Sequence, residues 1–332
     1  MKVDQKYFIG GVIVLKRLLF TGLLALILGT VAACGTADDE DSGTGTEPAG
    51  DETTDDSGDD NAAAGEELTK LTMGFVPSQD AAEIADTVQP LSERLSEILG
   101  VEVEAQVMTD YTGLVEGMRT QQIDIGFLPA FGFVQAEERA DVEVILKSIR
   151  DGESTYRAQF TVAADSELES IDDLVNTEDL VWAFADLTST SGFLFPAYLF
   201  LENDVDNLDT HFVQQPVGGH DNALIAVLDG QADFATTYED ARERIADERP
   251  EAMDMKVIGF TDPIPNDTIS LRSGFSEEWK QKIKDAFLSF NDDEDMIEVM
   301  MNVYNWTGID EATSEEYQIV RDTYAEFQDL IE

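Results

Sequence analysis

The sequence predicts an α/β protein whose sheets are parallel and flanked by helices, and three observations point there. Short apolar runs alternate with helical stretches from Leu71 onward, glycines and prolines mark the switches between them, and the polar motifs fall on strand-to-helix turns. The stretch from Leu68 to Glu332 is long enough for one large α/β domain or two medium ones.

The 71–76 segment reads as a buried strand closed by Pro77, and the 81–99 segment as a helix with Ile84, Val88, Leu91, Leu95, Ile98 and Leu99 on one face. Gly100 stops that helix. Strands are expected at 101–107 and 123–128 around a short helix at 111–119, then at 142–148 and 158–164. A helix start at 170–174 leads to a buried strand at 181–185, which runs directly into Asp186-Leu187-Thr188-Ser189-Thr190-Ser191-Gly192 and a helix to about residue 201. A strand at 211–215, a helix at 221–228 and a strand at 233–236 continue the βαβ order, and the part beyond 277 reads as helices only, at 277–290 and 314–331.

Ahead of this body lie two segments of different character. Lys2, Lys6, Lys16 and Arg17 precede an apolar run over 18–28 and small residues ending Val31-Ala32-Ala33-Cys34, the layout of a cleaved signal peptide over 1–33. The run is shorter than the roughly 20 residues that a permanent span needs. Val31-Ala32-Ala33-Cys34 resembles the lipobox of bacterial lipoproteins, which implies lipid on Cys34, the single cysteine of the chain. Residues 34–67 carry 13 acidic side chains, no basic one and no aromatic, so they cannot bury enough apolar surface to offset the entropy of ordering. They read as an acidic disordered tether between lipid and folded body.

The formal charge of the whole chain is −50, and residues 68–332 alone hold 56 acids against 16 bases. Nucleic acid and anionic lipid surfaces recruit clustered Lys and Arg, so neither is expected as a partner. At ~1 M salt the Debye length falls to about 3 Å, and a distant acidic surface then hardly repels an anionic ligand.

The chemistry concentrates on two turns. Ser189-Thr190-Ser191-Gly192 opens a helix directly after a strand, where hydroxyls, N–H groups without intrahelical partners and the positive end of the helix dipole suit a tetrahedral oxyanion. N-capping alone needs one such hydroxyl, and here there are three before a glycine that would let a ligand come close. Gly218-Gly219-His220-Asp221 opens a second helix on the same edge, and His220 is either a structural histidine or a donor to a bound oxygen, positively charged when protonated. Tyr111 and Tyr156 are either partly buried tyrosines or further hydroxyl donors.

These segments, with Asp124-Ile125-Gly126-Phe127-Leu128, resemble the signatures of the phosphate/phosphite/phosphonate-binding proteins of ABC transporters, over nearly all of 71–290. The resemblance implies a two-lobed periplasmic-binding-protein fold, type II-like, with two hinge strands and a ligand cleft between lobes 68–156 plus 260–332 and 157–259. It implies no cofactor and no metal, and a permease as partner. Carried over, Ser189, Thr190, Ser191, His220 and Tyr111 hold the phosphorus-bound oxygens with Tyr156 close by. Asp262, within Asp262-Pro263-Ile264-Pro265, either faces a ligand amine or merely starts the turn into Pro263. Phe127-Leu128-Pro129-Ala130 departs from the more usual aromatic-Gly-Pro pattern and lacks a tyrosine hydroxyl that some members carry.

Two alternatives accompany this reading. Ser191, His220 and an aspartate would make a hydrolytic triad, but no Gly-x-Ser-x-Gly elbow is present. A ligand-sensing module would share the fold and differ only in its partner. The N-terminal reading gives the first prediction: Cys34→Ala releases the protein into the medium or leaves it unprocessed, and cell fractionation that finds it at the membrane in unchanged amount refutes lipidation.

Overall fold

The computed structural model describes residues 68–331, so the expected signal peptide, Cys34 and the expected tether lie outside the described residues. The chain first lays down β1 (Lys70–Phe75), β2 (Glu102–Val107), β3 (Ile125–Leu128) and β4 (Glu143–Ile149). It passes through β5 (Thr155–Tyr156) into β6 (Ala158–Val162), β7 (Leu180–Phe184), β8 (Phe212–Pro216), β9 (Phe234–Tyr238) and β10 (Lys256–Phe260). It returns through β11 (Ile264–Pro265) to β12 (Thr268–Leu271) and β13 (Gly308–Glu311).

Two sheets result, ordered β13-β4-β12-β3-β1-β2 and β10-β6-β9-β7-β8, while β5 and β11 pair with each other alone. Within each sheet three strands are parallel in matching order: β2-β1-β3 in the first and β8-β7-β9 in the second. The next strand inward, β12 or β6, is the one that has just crossed over, and it runs antiparallel to its neighbours. Crossing therefore breaks the parallel rule, and the sheets are mixed where βαβ repetition predicts parallel ones.

Other departures have local causes. The 81–99 helix is two, Ala81–Thr87 and Gln89–Leu99, because Pro90 lacks an N–H and takes a first-turn position in the second. A helix at Ala130–Ala140 has no amphipathic stripe in sequence, since its residues Ala130 to Ala136 are all buried. The part beyond 277 is not helical throughout: β13 joins the first sheet, and a further helix spans Glu294–Tyr304. Four-residue strands are too short to show a period.

The second sheet is organised around Trp182, fully buried, with Phe193 and Phe234 stacked at 5.6 and 6.0 Å and Phe200 and Phe212 edge-on at 5.4 and 5.7 Å. Its indole N–H donates to Thr236 Oγ1 at 2.7 Å, and the Thr236 hydroxyl donates to the Gly192 carbonyl at 2.5 Å. The core is thus wired to the turn that carries the serines. Thr236→Val keeps the shape and orphans both groups; a buried unsatisfied group costs about 1–3 kcal/mol, so urea unfolding should lose that much stability at unchanged m-value. A variant as stable as the wild type disproves the wiring.

Candidate ligand-binding site

The carboxyl ends of the parallel strands of both sheets converge on one cavity of about 30 Å³. That volume holds roughly two waters. From the first sheet come Ser78 beyond β1, Tyr111 heading the Tyr111–Arg119 helix, Leu128 and Pro129 ending β3, and Arg150 just past β4. From the second come Ser189, Ser191, His220 and Tyr238, while Tyr156 and Asp267 arrive on the two crossings.

Ser189 is the N-cap of a π-helical turn, Thr190–Leu194, that continues into the Phe195–Glu202 helix, with Pro196 in the first turn of the latter. The Ser189 hydroxyl accepts from the Gly192 N–H at 3.0 Å. A side chain at 192 would put Cβ 2.7 Å from that hydroxyl oxygen, so the glycine serves the cap contact itself. Its expected service to an approaching ligand is not what the packing shows. Ser191 is left to face the cavity, and the N–H groups of Thr190 and Ser191 head the turn, where no intrahelical acceptor exists. Thr190, fully buried, accepts from the Phe131 N–H at 2.9 Å, which caps the Ala130–Ala140 helix whose own N-cap, Pro129, supplies no side-chain bond.

His220 is 5% exposed and its ring lies edge-on to Tyr238 at 5.0 Å. The His220 backbone N–H donates to the Ser78 carbonyl at 2.8 Å, and Asp221 Oδ1 packs against the bare Gly219, where a Cβ would sit 2.3 Å from it. Burial first, and then the charge of Arg150, lower the His220 pKa to about 3. The imidazole is neutral, contrary to the protonated form considered from sequence. The second helix start also carries an acid of its own: the Asp221 carboxylate lies there with Oδ1 buried and without a partner, and burial raises its pKa. What remains is the ring, whose Nδ1 is buried without a partner.

Tyr111 is 2% exposed, and its hydroxyl is likewise buried without a partner. Burial drives its pKa well above the ordinary value and raises that of Tyr156 too, while Tyr238 is pushed up to about 12. All three are protonated donors at neutral pH. Tyr156 lies beside Ser191 and Thr190.

The structure brings together Tyr111, Tyr156, Ser189, Ser191 and His220, with Thr190 behind them, and leaves Asp262 out. Asp262 is exposed in the bend after β10, where its carbonyl accepts from the Thr261 hydroxyl at 3.0 Å, so Asp-Pro starts a turn here. The carboxylate that reaches the cavity is Asp267. Asn266, fully buried, donates from Nδ2 to the Ser148 and Glu153 carbonyls at 2.9 and 2.8 Å and so fixes Asp267 against the first crossing. Asp267 accepts from Arg150 Nη2 at 2.6 Å; burial raises its pKa, while Arg150 and the nearby Trp306 ring N–H pull it back. Arg150 also lies 5.0 and 5.5 Å from the ring centres of Tyr156 and Tyr238. Sequence reasoning missed Arg150, Asp267, Tyr238 and Ser78. The available signal was position: Arg150 directly follows an apolar strand on the edge that carries the other motifs.

Among the described residues no cluster of His, Cys, Asp and Glu is arranged to hold a metal ion, and no helix is long and apolar enough to cross a membrane. Two α/β lobes with donors converging on a cleft define a solute-binding protein. A family model described as "ABC transporter, phosphonate, periplasmic substrate-binding protein" matches residues 73–317. The phosphonates-binding periplasmic protein of Escherichia coli is 30% identical over 233 residues, 69% of this chain and 68% of that protein. A phosphate-import protein of Mycolicibacterium smegmatis is 25% identical over 228 residues, 65% of this chain and 70% of its own. A binding-protein component of a phosphonate ABC transporter from Pseudomonas aeruginosa superposes with a TM-score of 0.72 at 25% identity, over 79% of this chain and 87% of that one. The chain belongs to the periplasmic substrate-binding proteins of phosphonate ABC transporters; it is a binding protein and not an enzyme, with the two-lobed periplasmic-binding-protein fold.

The buried neutral His220 has a pH consequence. Its folded pKa of about 3 lies below the ordinary value near 6.5, so its contribution to stability is full above 6.5 and is lost as pH falls toward 3. Between those limits the unfolded state binds one more proton, a slope of about 1.4 kcal/mol per pH unit. His220→Gln should flatten the stability–pH curve between pH 6 and 4 by that slope. Identical slopes in wild type and variant show that the imidazole titrates normally in the folded protein.

Proposed function

We propose that the cleft captures a phosphonate, phosphite or phosphate ion outside the cytoplasm and passes it to the permease of an ABC importer. In this reading lipid on Cys34 anchors the protein to the cell membrane, and lobes 68–156 plus 260–332 and 157–259 close over the ligand about the two crossings. The carrying observation is the cavity wall: Tyr111 Oη and His220 Nδ1 are buried without partners beside Ser189 and Ser191. Orphaned buried polar atoms are costly, and a tetrahedral oxyanion of matching size supplies acceptors to several donors at once. Neutral hydroxyl and N–H donors hold an oxyanion by charge-assisted hydrogen bonds without a cationic surface. The names of the Escherichia coli and Mycolicibacterium smegmatis relatives support the same ligand class.

The geometry gives no support to hydrolysis. A Ser-His-Asp relay needs a carboxylate orienting the imidazole through Nδ1, and the His220 Nδ1 has no partner.

A thermal-shift screen of phosphate, phosphite, methylphosphonate, ethylphosphonate and sulfate tests the reading. A ligand at 100 times its dissociation constant adds about 2.7 kcal/mol to folding stability, and at least one phosphorus oxyanion should do so while sulfate does not. Ser191→Ala, which removes one charge-assisted bond of about 1.5–3 kcal/mol, should weaken that ligand tenfold or more. Absence of a shift with every phosphorus compound refutes the assignment.

A further inference from the structure

We infer that Arg150 contacts the ligand and sets the specificity of the cleft: its guanidinium takes an oxygen of the bound anion and simultaneously neutralises Asp267. The site then accepts phosphorus oxyanions whose other end carries no charge and discriminates against aminophosphonates. This inference rests on the phosphorus-oxyanion reading above and deepens it.

Arg150 is the one cation among the residues lining the cavity. It shares that lining with Tyr111, Ser189, Ser191 and His220, the donors assigned to the anion. A guanidinium offers five N–H bonds in a fixed plane. One nitrogen, Nη2, is taken by Asp267 at 2.6 Å, and the two side chains are each 16% exposed. Nε is buried and has no acceptor. The Tyr156 and Tyr238 ring centres lie 5.0 and 5.5 Å from its Cζ, cation–π contacts that restrain the guanidinium between them. A cation with a spare buried donor, fixed in the wall of an anion cavity, is placed to bind the anion.

The pair also decides what the other end of the ligand can be. An unpaired Asp267 would attract an ammonium group. With Arg150 already on its carboxylate, an incoming ammonium meets a like charge beside the only acidic partner the cavity lining offers. Phosphite, phosphate and methylphosphonate bring no ammonium to that pair, and 2-aminoethylphosphonate does.

Calorimetric titration of methylphosphonate and 2-aminoethylphosphonate into wild type, Arg150→Gln, Asp267→Asn and the double variant tests this. The wild type should prefer methylphosphonate about tenfold or more. Arg150→Gln should weaken methylphosphonate about 10- to 100-fold and expose Asp267, so that the preference reverses toward the amine. The double variant, with neither charge, should show no such reversal. Binding of methylphosphonate by the wild type with an affinity and a preference that Arg150→Gln leaves unchanged overturns the inference alone. A wild type that binds no phosphorus oxyanion overturns the function on which it rests. If Arg150→Gln does not fold, Arg150→Lys decides: it keeps the charge and loses the Nε donor and the planar stacking. It should then weaken methylphosphonate about tenfold and still discriminate against the amine, and unchanged affinity counts against the contact.

Discussion

The cleft depends on how the two chain crossings are tied together. β5 and β11 form only a two-residue antiparallel pair, too little to be rigid on its own. Asn266 supplies the rest: its amide bonds the Ser148 carbonyl at the end of β4 and the Glu153 carbonyl of the first crossing, its backbone N–H donates to the Ser154 carbonyl at 3.0 Å, and its own carbonyl accepts from the buried Tyr317 hydroxyl at 3.1 Å. Arg150, Tyr156 and Asp267 sit within a few residues of these bonds, so one buried amide sets the register of three cavity residues contributed by separate segments. Loss of that register would displace them together, although the Asp267 carbonyl is also held by the Ser148 N–H of β4 at 2.9 Å.

An acidic body that binds an anion has to solve an electrostatic problem locally. With 56 acids against 16 bases over 68–332, the long-range field opposes the ligand, and screening by salt removes much of that field but no local repulsion. Beside Arg150, whose charge Asp267 offsets, the cavity answers with protonated tyrosines, hydroxyls and a neutral imidazole. Burial produces this state in each case: the desolvation that keeps the tyrosines protonated also keeps the histidine uncharged. The same burial leaves donors without partners, and their cost in the ligand-free protein is the reserve that binding recovers.

Most of the fold was legible because apolar periodicity and glycine punctuation are local signals, and the strands at 71–76 and 181–185 lie within a residue of where the pattern puts them. The serine turn and the Gly-Gly-His turn were legible for the same reason, as each is one continuous segment. What was hidden is what the crossings create. Asp262 and Asp267 flank the same Pro-Ile-Pro stretch, and only the pairing of β11 with β5 shows which of them turns toward the cavity. Arg150 and Tyr238 meet across 88 positions of sequence, a juxtaposition that no spacing rule contains. The antiparallel strands escaped for a related reason: a strand's direction in a sheet is decided by where the chain has come from, and its residues carry no record of it.

The bond from Phe131 to Thr190 joins a helix of the first half to the serine turn of the second. Because Pro129 offers no cap, the Ala130–Ala140 helix borrows its N-terminal hydroxyl from across the cleft. An N-cap contributes about 1 kcal/mol, so separation of the two sides would fray this helix at its first turn. The Phe131 amide is therefore a built-in gauge: its hydrogen-exchange protection is tied to the ligand-side turn and reports on the cleft from a position that touches no ligand.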